Sequence, residues 1–201
     1  QDANNKLGYS SRQTMMIAQQ LYEGIKIGKE GSVGLITYMR TDSMNLSMES
    51  MLSAQKVISK KFGPEYALTS PRFFKTKSKG AQEAHEAIRP TSVMREPEQV
   101  KEFLDPAMYK LYRLIWQRFV ASQMEAAVYD TLQVEVTGRT PDHEYVLRAS
   151  GSAVKFAGFL VVYEEARNED IKTDEDDENV RIPVGIAEGQ KQELIRLIPE
   201  Q

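Results

Sequence analysis

The chain has 201 residues, 41% of them hydrophobic, which is enough for one full domain and a smaller second one. Its formal charge of -3 is unevenly divided: residues 1–125 carry 18 basic and 13 acidic side chains and residues 126–201 carry 8 and 16, so a polyanion would favour the first part. The absence of cysteine excludes disulfides, thiolate metal sites and a thiol nucleophile, and no run approaches the roughly 20 apolar residues of a membrane span.

Gln1-Asp2-Ala3-Asn4-Asn5 lacks the basic-then-apolar order of a signal peptide. The chain starts without Met and stops at Ile198-Pro199-Glu200-Gln201, directly after a strand-like run, and is read as a piece cut from a longer protein. Ser10-Ser11-Arg12-Gln13 has the form of a capping box, so a helix is expected to follow. Ile17, Ala18, Leu21, Tyr22 and Ile25 fall on one face of it, and Gly24, Gly28, Gly31 and Gly34 end it, with a loop over 26–33. Gly34-Leu35-Ile36-Thr37-Tyr38 is short and apolar, and suits either a strand or a buried helical turn.

Ser47 is an N-cap candidate for a helix that places Met48, Met51, Leu52 and Ile58 inward and stops at Gly63-Pro64. Asp105 and Pro106 open another, with Met108, Leu111, Tyr112, Ile115, Trp116 and Phe119 as one buried stripe. After about residue 125 the period changes from 3.6 to 2. Leu132, Val134 and Val136 form one half-buried strand and Tyr145, Leu147 and Ala149 another. Ser150-Gly151 reads as a turn, and Phe159 to Tyr163 and Leu194 to Ile198 as further strands. Glu164 to Glu178 holds nine acids and two bases and is expected to be a mobile acidic loop.

Two segments carry chemistry. In Leu35-Ile36-Thr37-Tyr38-Met39-Arg40-Thr41-Asp42-Ser43 an apolar run delivers a phenol and then a guanidinium, types that suit attack on phosphorus with a cation on a phosphate oxygen. In Glu83-Ala84-His85-Glu86-Ala87-Ile88-Arg89-Pro90 a helical turn would set His85 and Arg89 on one face, both able to meet phosphate. Residue types alone also fit an amphipathic core tyrosine and casual surface charges. Arg72-Phe73-Phe74-Lys75-Thr76-Lys77-Ser78-Lys79 mixes bases with aromatics, which suits single-stranded nucleic acid or a basic loop with its phenylalanines tucked in.

The first segment resembles the active-site signature of type IA DNA topoisomerases, and the second is similar to another motif of that family. Thr14 to Glu23 and Leu111 to Val120 also resemble the bacterial topoisomerase I branch, as does Met39 between Tyr38 and Arg40. The resemblance implies an α+β fold: a mainly helical strand-cleavage and gate domain over 1–125, then part of a β-rich arch domain over 126–201. It implies that Tyr38 attacks a DNA phosphodiester, that Arg40 and His85 serve the phosphates and the developing charge, and that Arg89 also contacts DNA.

The expected partners are single-stranded DNA and the metal-binding domain of the same enzyme, with no membrane and no nucleotide, in a bacterial cytoplasm beside the nucleoid. The family's magnesium is expected on that other domain, through a Glu and an Asp-x-Asp set. Asp174-Glu175-Asp176 copies the spacing but sits in the acidic run, so no metal is expected in this piece. The piece alone is expected to be inactive. The alternative is a non-catalytic single-strand-binding or protein-docking module of the same shape.

Overall fold

The computed structural model describes residues 1–74, 85–163 and 187–193. The fold is α+β. The described residues fall into two compact units, 1–127 with 157–163 and 128–156 with 187–193. The acidic run at 164–178, the run at 194–198, Glu83, Ala84 and Lys75 to Lys79 lie outside the described residues.

The first unit is helical because its caps and stripes agree. Helices α1 (Asp2–Leu7) and α2 (Ser11–Glu23) are separated by Gly8, which takes the left-handed conformation at φ 69°. Ser10 caps α2, its Oγ accepting from Gln13 N at 3.2 Å. Ile17, Ala18 and Leu21 are buried as the spacing predicts, whereas Tyr22 is exposed. The expected loop at 26–33 contains a small antiparallel pair, β1 (Ile25–Lys26) with β2 (Ser32–Val33), around a 3-10 turn.

Ser47 caps α3 (Met48–Lys61), its Oγ accepting from Ser50 N. The buried face is Ser50, Met51, Ala54, Val57 and Ile58, while Met48 and Leu52 point outward, a correction to the expected stripe. The cap explains the rotation: Ser50 turns in and its hydroxyl donates to Ser47 O at 2.8 Å. A short α4 (Pro97–Val100) precedes α5 (Pro106–Ser122), where Asp105 Oδ1 accepts from Ala107 N and Met108 N at 2.8 and 2.9 Å.

Helix α5 is the centre of the unit. One side of it, through Leu111, Tyr112, Leu114 and Ala121, packs with Ile17, Ala18 and Leu21 of α2 and with Leu35, Ile36 and Met39. The other, through Trp116, Phe119 and Val120, packs with Ala54, Val57 and Ile58 of α3 and with Val93. Its polar tips are satisfied: Trp116 Nε1 donates to Val93 O at 2.9 Å and the Tyr112 hydroxyl to Arg95 O at 2.7 Å. Burial pushes the Tyr112 phenol well above its ordinary range. Phe159 to Tyr163 is not a strand. Gly158–Val161 forms a 3-10 turn, entered at a Gly158 φ of 51°, and Phe159 N donates to Glu125 O at 3.0 Å.

The second unit contains the hairpin of β3 (Val128–Arg139) with β4 (Glu144–Phe156), paired antiparallel from Val128↔Phe156 to Arg139↔Glu144. Ser150 and Gly151 lie inside β4, opposite Gln133 and Leu132, and the turn is at 140–143, where Thr140 and His143 exchange hydrogen bonds. The register puts Leu132, Val134 and Val136 on one face with Leu147 and Ala149, and Gln133, Glu135 and Thr137 on the other with Arg148 and Val146. The period-2 reading therefore stands, but the expected half-burial does not. Most of these side chains are exposed, because among the described residues the two strands pair only with each other.

Candidate active site

The phenol-bearing segment starts where α2 stops. Gly24 ends the helix and the β1–β2 pair turns the chain back along it, so that Leu35 N donates to Leu21 O at 2.7 Å. Gly34 is required there: a Cβ on it would lie 2.6 Å from Tyr22 O. The segment is neither a regular strand nor a helical turn. It is an irregular stretch, bent at Thr37, Met39 and Arg40, with a single bridge, Ile36↔Pro90.

That bridge belongs to a set of bonds joining the two chemistry-bearing segments. Thr37 N donates to Arg89 O at 2.9 Å, and Thr91 N donates to Leu35 O at 2.9 Å. The Thr37 hydroxyl donates to Ala87 O at 2.7 Å and accepts from Arg89 N at 2.9 Å. The Thr91 hydroxyl donates to Gly34 O at 2.7 Å. Residues 85–89 form no helical turn, which corrects the expected placement of His85 and Arg89 on one helical face. The backbone groups of Ala87 and Arg89 are taken by Thr37 and Asn45 and are not free to form a helix.

The side chains divide between core and surface. Leu35, Ile36 and Met39 are buried in the core, while Tyr38 is 42% exposed and Arg40 is exposed. Beyond them Thr41 Oγ1 accepts from Ser43 N and Ser43 Oγ from Asn45 N, at 3.0 and 3.1 Å, shaping the turn that leads to α3. The Tyr38 ring lies between two others. Tyr22 is 5.3 Å away at an interplanar angle of 65°, and half-buried His85 is 6.4 Å away at 66°. The structure thus brings Tyr38 and His85 together. Arg40 stands on the same exposed stretch with no hydrogen bond or ion pair to any described residue.

Arg89 is placed differently. Its side chain is 13% exposed, and its guanidinium donates to both carboxylate oxygens of Glu86 and to Pro90 O. Glu86 Oε1 also accepts from Ser47 N at 2.8 Å, at the start of α3, and Ala87 N donates to Asn45 O at 2.8 Å. Burial raises the Glu86 carboxyl, but hydrogen bonds from Arg89 and Ser47 and the Arg89 charge outweigh it and hold it below the ordinary glutamate value.

Of the basic-aromatic segment, Arg72 is clamped at its backbone by the buried Gln123 amide, which accepts from Arg72 N at 3.2 Å and donates to Arg72 O at 3.1 Å. Phe73 and Phe74 are exposed, not tucked inward. Thr37, Glu86 and Tyr22 were not singled out as site residues from the sequence; only the pairing of two distant segments reveals them. Among the described residues no group of three or more His, Asp or Glu side chains comes together as a metal site. Among the same residues no helix is long and apolar enough to cross a membrane.

A family model described as DNA topoisomerase matches residues 1–196. DNA topoisomerase 1 of Xylella fastidiosa is 46% identical over 201 residues, covering all of this chain and 24% of that protein. DNA topoisomerase 1 of Rickettsia bellii is 45% identical over 201 residues, again all of this chain and 24% of the relative. The structure of full-length topoisomerase I from Thermotoga maritima superposes with a TM-score of 0.66 at 39% identity, over 87% of this chain and 27% of that one. The chain thus spans about a quarter of the length of the curated relatives it matches.

Proposed function

This chain belongs to the bacterial DNA topoisomerase family, and we propose that it is the segment of a type IA enzyme that breaks and rejoins one DNA strand through Tyr38. The observation that supports this most is the bonding of Thr37 to Ala87 and Arg89, which leaves the neighbouring phenol open to solvent beside His85. The Tyr38 oxygen attacks a phosphodiester of single-stranded DNA. The phenol gives up its proton, the bond from phosphorus to the O3′ of the preceding nucleotide breaks, and that oxygen takes up a proton and leaves as a 3′-hydroxyl, so the protons balance. The 5′-phosphate stays on Tyr38 as an ester of similar energy, so rejoining is the same displacement reversed and needs no ATP.

A phenol holds its proton at neutral pH, so attack needs a positive field where charge develops. Arg40, exposed and without a partner among the described residues, is assigned to the phosphate and the developing charge, and His85 to the DNA phosphates. The Arg89 guanidinium is assigned chiefly to ordering the second segment through Glu86 and Pro90, since direct contact with DNA requires its Glu86 pair to open. The magnesium that the family resemblance implies is assigned to sequence beyond this chain. In the whole enzyme, relaxation of negative supercoils follows when this segment moves aside with the bound 5′ end, hinged on β-rich structure that includes β3 and β4.

The test is relaxation of supercoiled DNA by a full-length topoisomerase carrying this segment. Tyr38→Phe abolishes relaxation while retaining DNA binding, and the 201-residue chain by itself relaxes nothing. Relaxation by Tyr38→Phe refutes the proposal; single-strand binding with no cleavage by the wild-type enzyme supports a docking module instead.

A further inference from the structure

The reading of Tyr38 as nucleophile leaves open what aims its ring. Its hydroxyl makes no hydrogen bond to any described residue, and its side chain is too exposed for core packing to hold it. Its ring contacts are with Tyr22 and His85, and the nearer is Tyr22, at 5.3 Å and 65°. Rings at such angles attract because the positive edge of one meets the negative face of the other, a contact that specifies direction as well as distance.

The backbone fixes where Tyr22 stands. Leu35 N bonds to Leu21 O, and Gly34 lets the segment that carries Tyr38 run against the carbonyl of Tyr22 itself. The main chain therefore holds the end of α2, with Tyr22, against the segment that carries Tyr38. Helical periodicity groups Tyr22 with Ile17, Ala18 and Leu21, yet those three are buried and Tyr22 is 42% exposed. Little of the core depends on its ring.

We propose that Tyr22 is a positioning residue for Tyr38, its ring fixing the direction in which the attacking phenol is presented. This rests on Tyr38 being the nucleophile. The contact uses ring edge and face, not the Tyr22 hydroxyl, so phenylalanine serves in its place and an aliphatic side chain does not.

The experiment is single-turnover cleavage of a single-stranded oligonucleotide by a full-length topoisomerase carrying this segment, with Tyr38→Phe as control. At saturating oligonucleotide, Tyr22→Ala and Tyr22→Leu slow cleavage about five- to tenfold, the scale of one edge-to-face pair, and Tyr22→Phe stays within about twofold of wild type. The half-saturating concentration and the melting temperature are unchanged in all three. Wild-type rates in Tyr22→Ala and Tyr22→Leu, or a Tyr22→Phe as slow as they are, overturn the positioning role. So does a loss confined to the half-saturating concentration, which would place the ring on DNA, or one that tracks melting temperature across the three variants. Each of these outcomes leaves the nucleophile untouched, whereas cleavage by Tyr38→Phe overturns the underlying reading first.

Discussion

Thr37 and Arg89, 52 residues apart, are bonded in both directions: Thr37 N donates to Arg89 O, and Arg89 N donates to the Thr37 hydroxyl, both at 2.9 Å. Through this pair the segment carrying Tyr38 and the segment carrying His85 become one piece of structure. The position of the phenol beside the imidazole depends on it.

Thr37→Val keeps the shape of the side chain and removes the hydroxyl, leaving Arg89 N and Ala87 O each short of a partner. The expected cost is about 1–3 kcal/mol, as for buried polar groups left unpaired, and Thr37→Ser recovers most of it. Urea unfolding followed by Trp116, the single tryptophan and part of the same unit, measures both.

Glu86, which ties the Arg89 guanidinium to the start of α3 at Ser47 N, makes the neighbouring structure sensitive to acid. Its carboxyl is held below its ordinary value of 4.5 in the folded chain, so its contribution is present above that value and is lost as pH falls through the lower folded value. The stability difference between wild type and Glu86→Gln is therefore constant from pH 8 to about 5.5 and shrinks below about 4.5. Asp2 is also depressed: burial raises it, but hydrogen bonds from Tyr163 and Arg118 and the Arg118 charge prevail. Taking the difference against Glu86→Gln cancels that second contribution. A difference that grows toward acid would refute this role of Glu86.

Gly34→Ala tests the crossing of the Tyr38-bearing segment over the end of α2. The new Cβ meets the Tyr22 carbonyl at 2.6 Å, and backbone cannot rotate away. The expected loss is about 1–3 kcal/mol in the same unfolding experiment, the range for overpacking a tight site.

The hairpin gives the opposite expectation. Arg148 pairs with Glu135 at 2.8 Å, but their side chains are 70% and 52% exposed. Exposed pairs contribute about 0–1 kcal/mol, so Arg148→Ala changes amide exchange across β3 and β4 by less than about fivefold.

How much of this was legible in the sequence follows the range of the interactions. Ser10, Ser47 and Asp105 could be read as caps because each bonds a backbone N–H two or three residues away. The alternation of Leu132, Val134 and Val136 gave a strand and its faces, since a strand's period is local. Phe159 was misread because five apolar residues in a row suit several conformations, and a neighbouring glycine at φ 51° selected one. Ser150-Gly151 was misread because its place in β4 is set by a partner strand whose register starts from another turn. Tyr38 and His85 were nameable from their motifs, but their approach was not. Thr37 carries out that joining from 50 residues away in sequence, and nothing in the residues around it announces an acceptor at Ala87.

The most direct measurement is chemical identification of the residue joined to DNA. A full-length topoisomerase carrying this segment is incubated with a single-stranded oligonucleotide, quenched in denaturant and digested, and the peptides are sequenced by mass spectrometry. The account predicts one nucleotide-bearing peptide, with the 5′-phosphate ester on Tyr38, absent from Tyr38→Phe. An ester on Tyr22 or any other residue, or an adduct that persists in Tyr38→Phe, would contradict it.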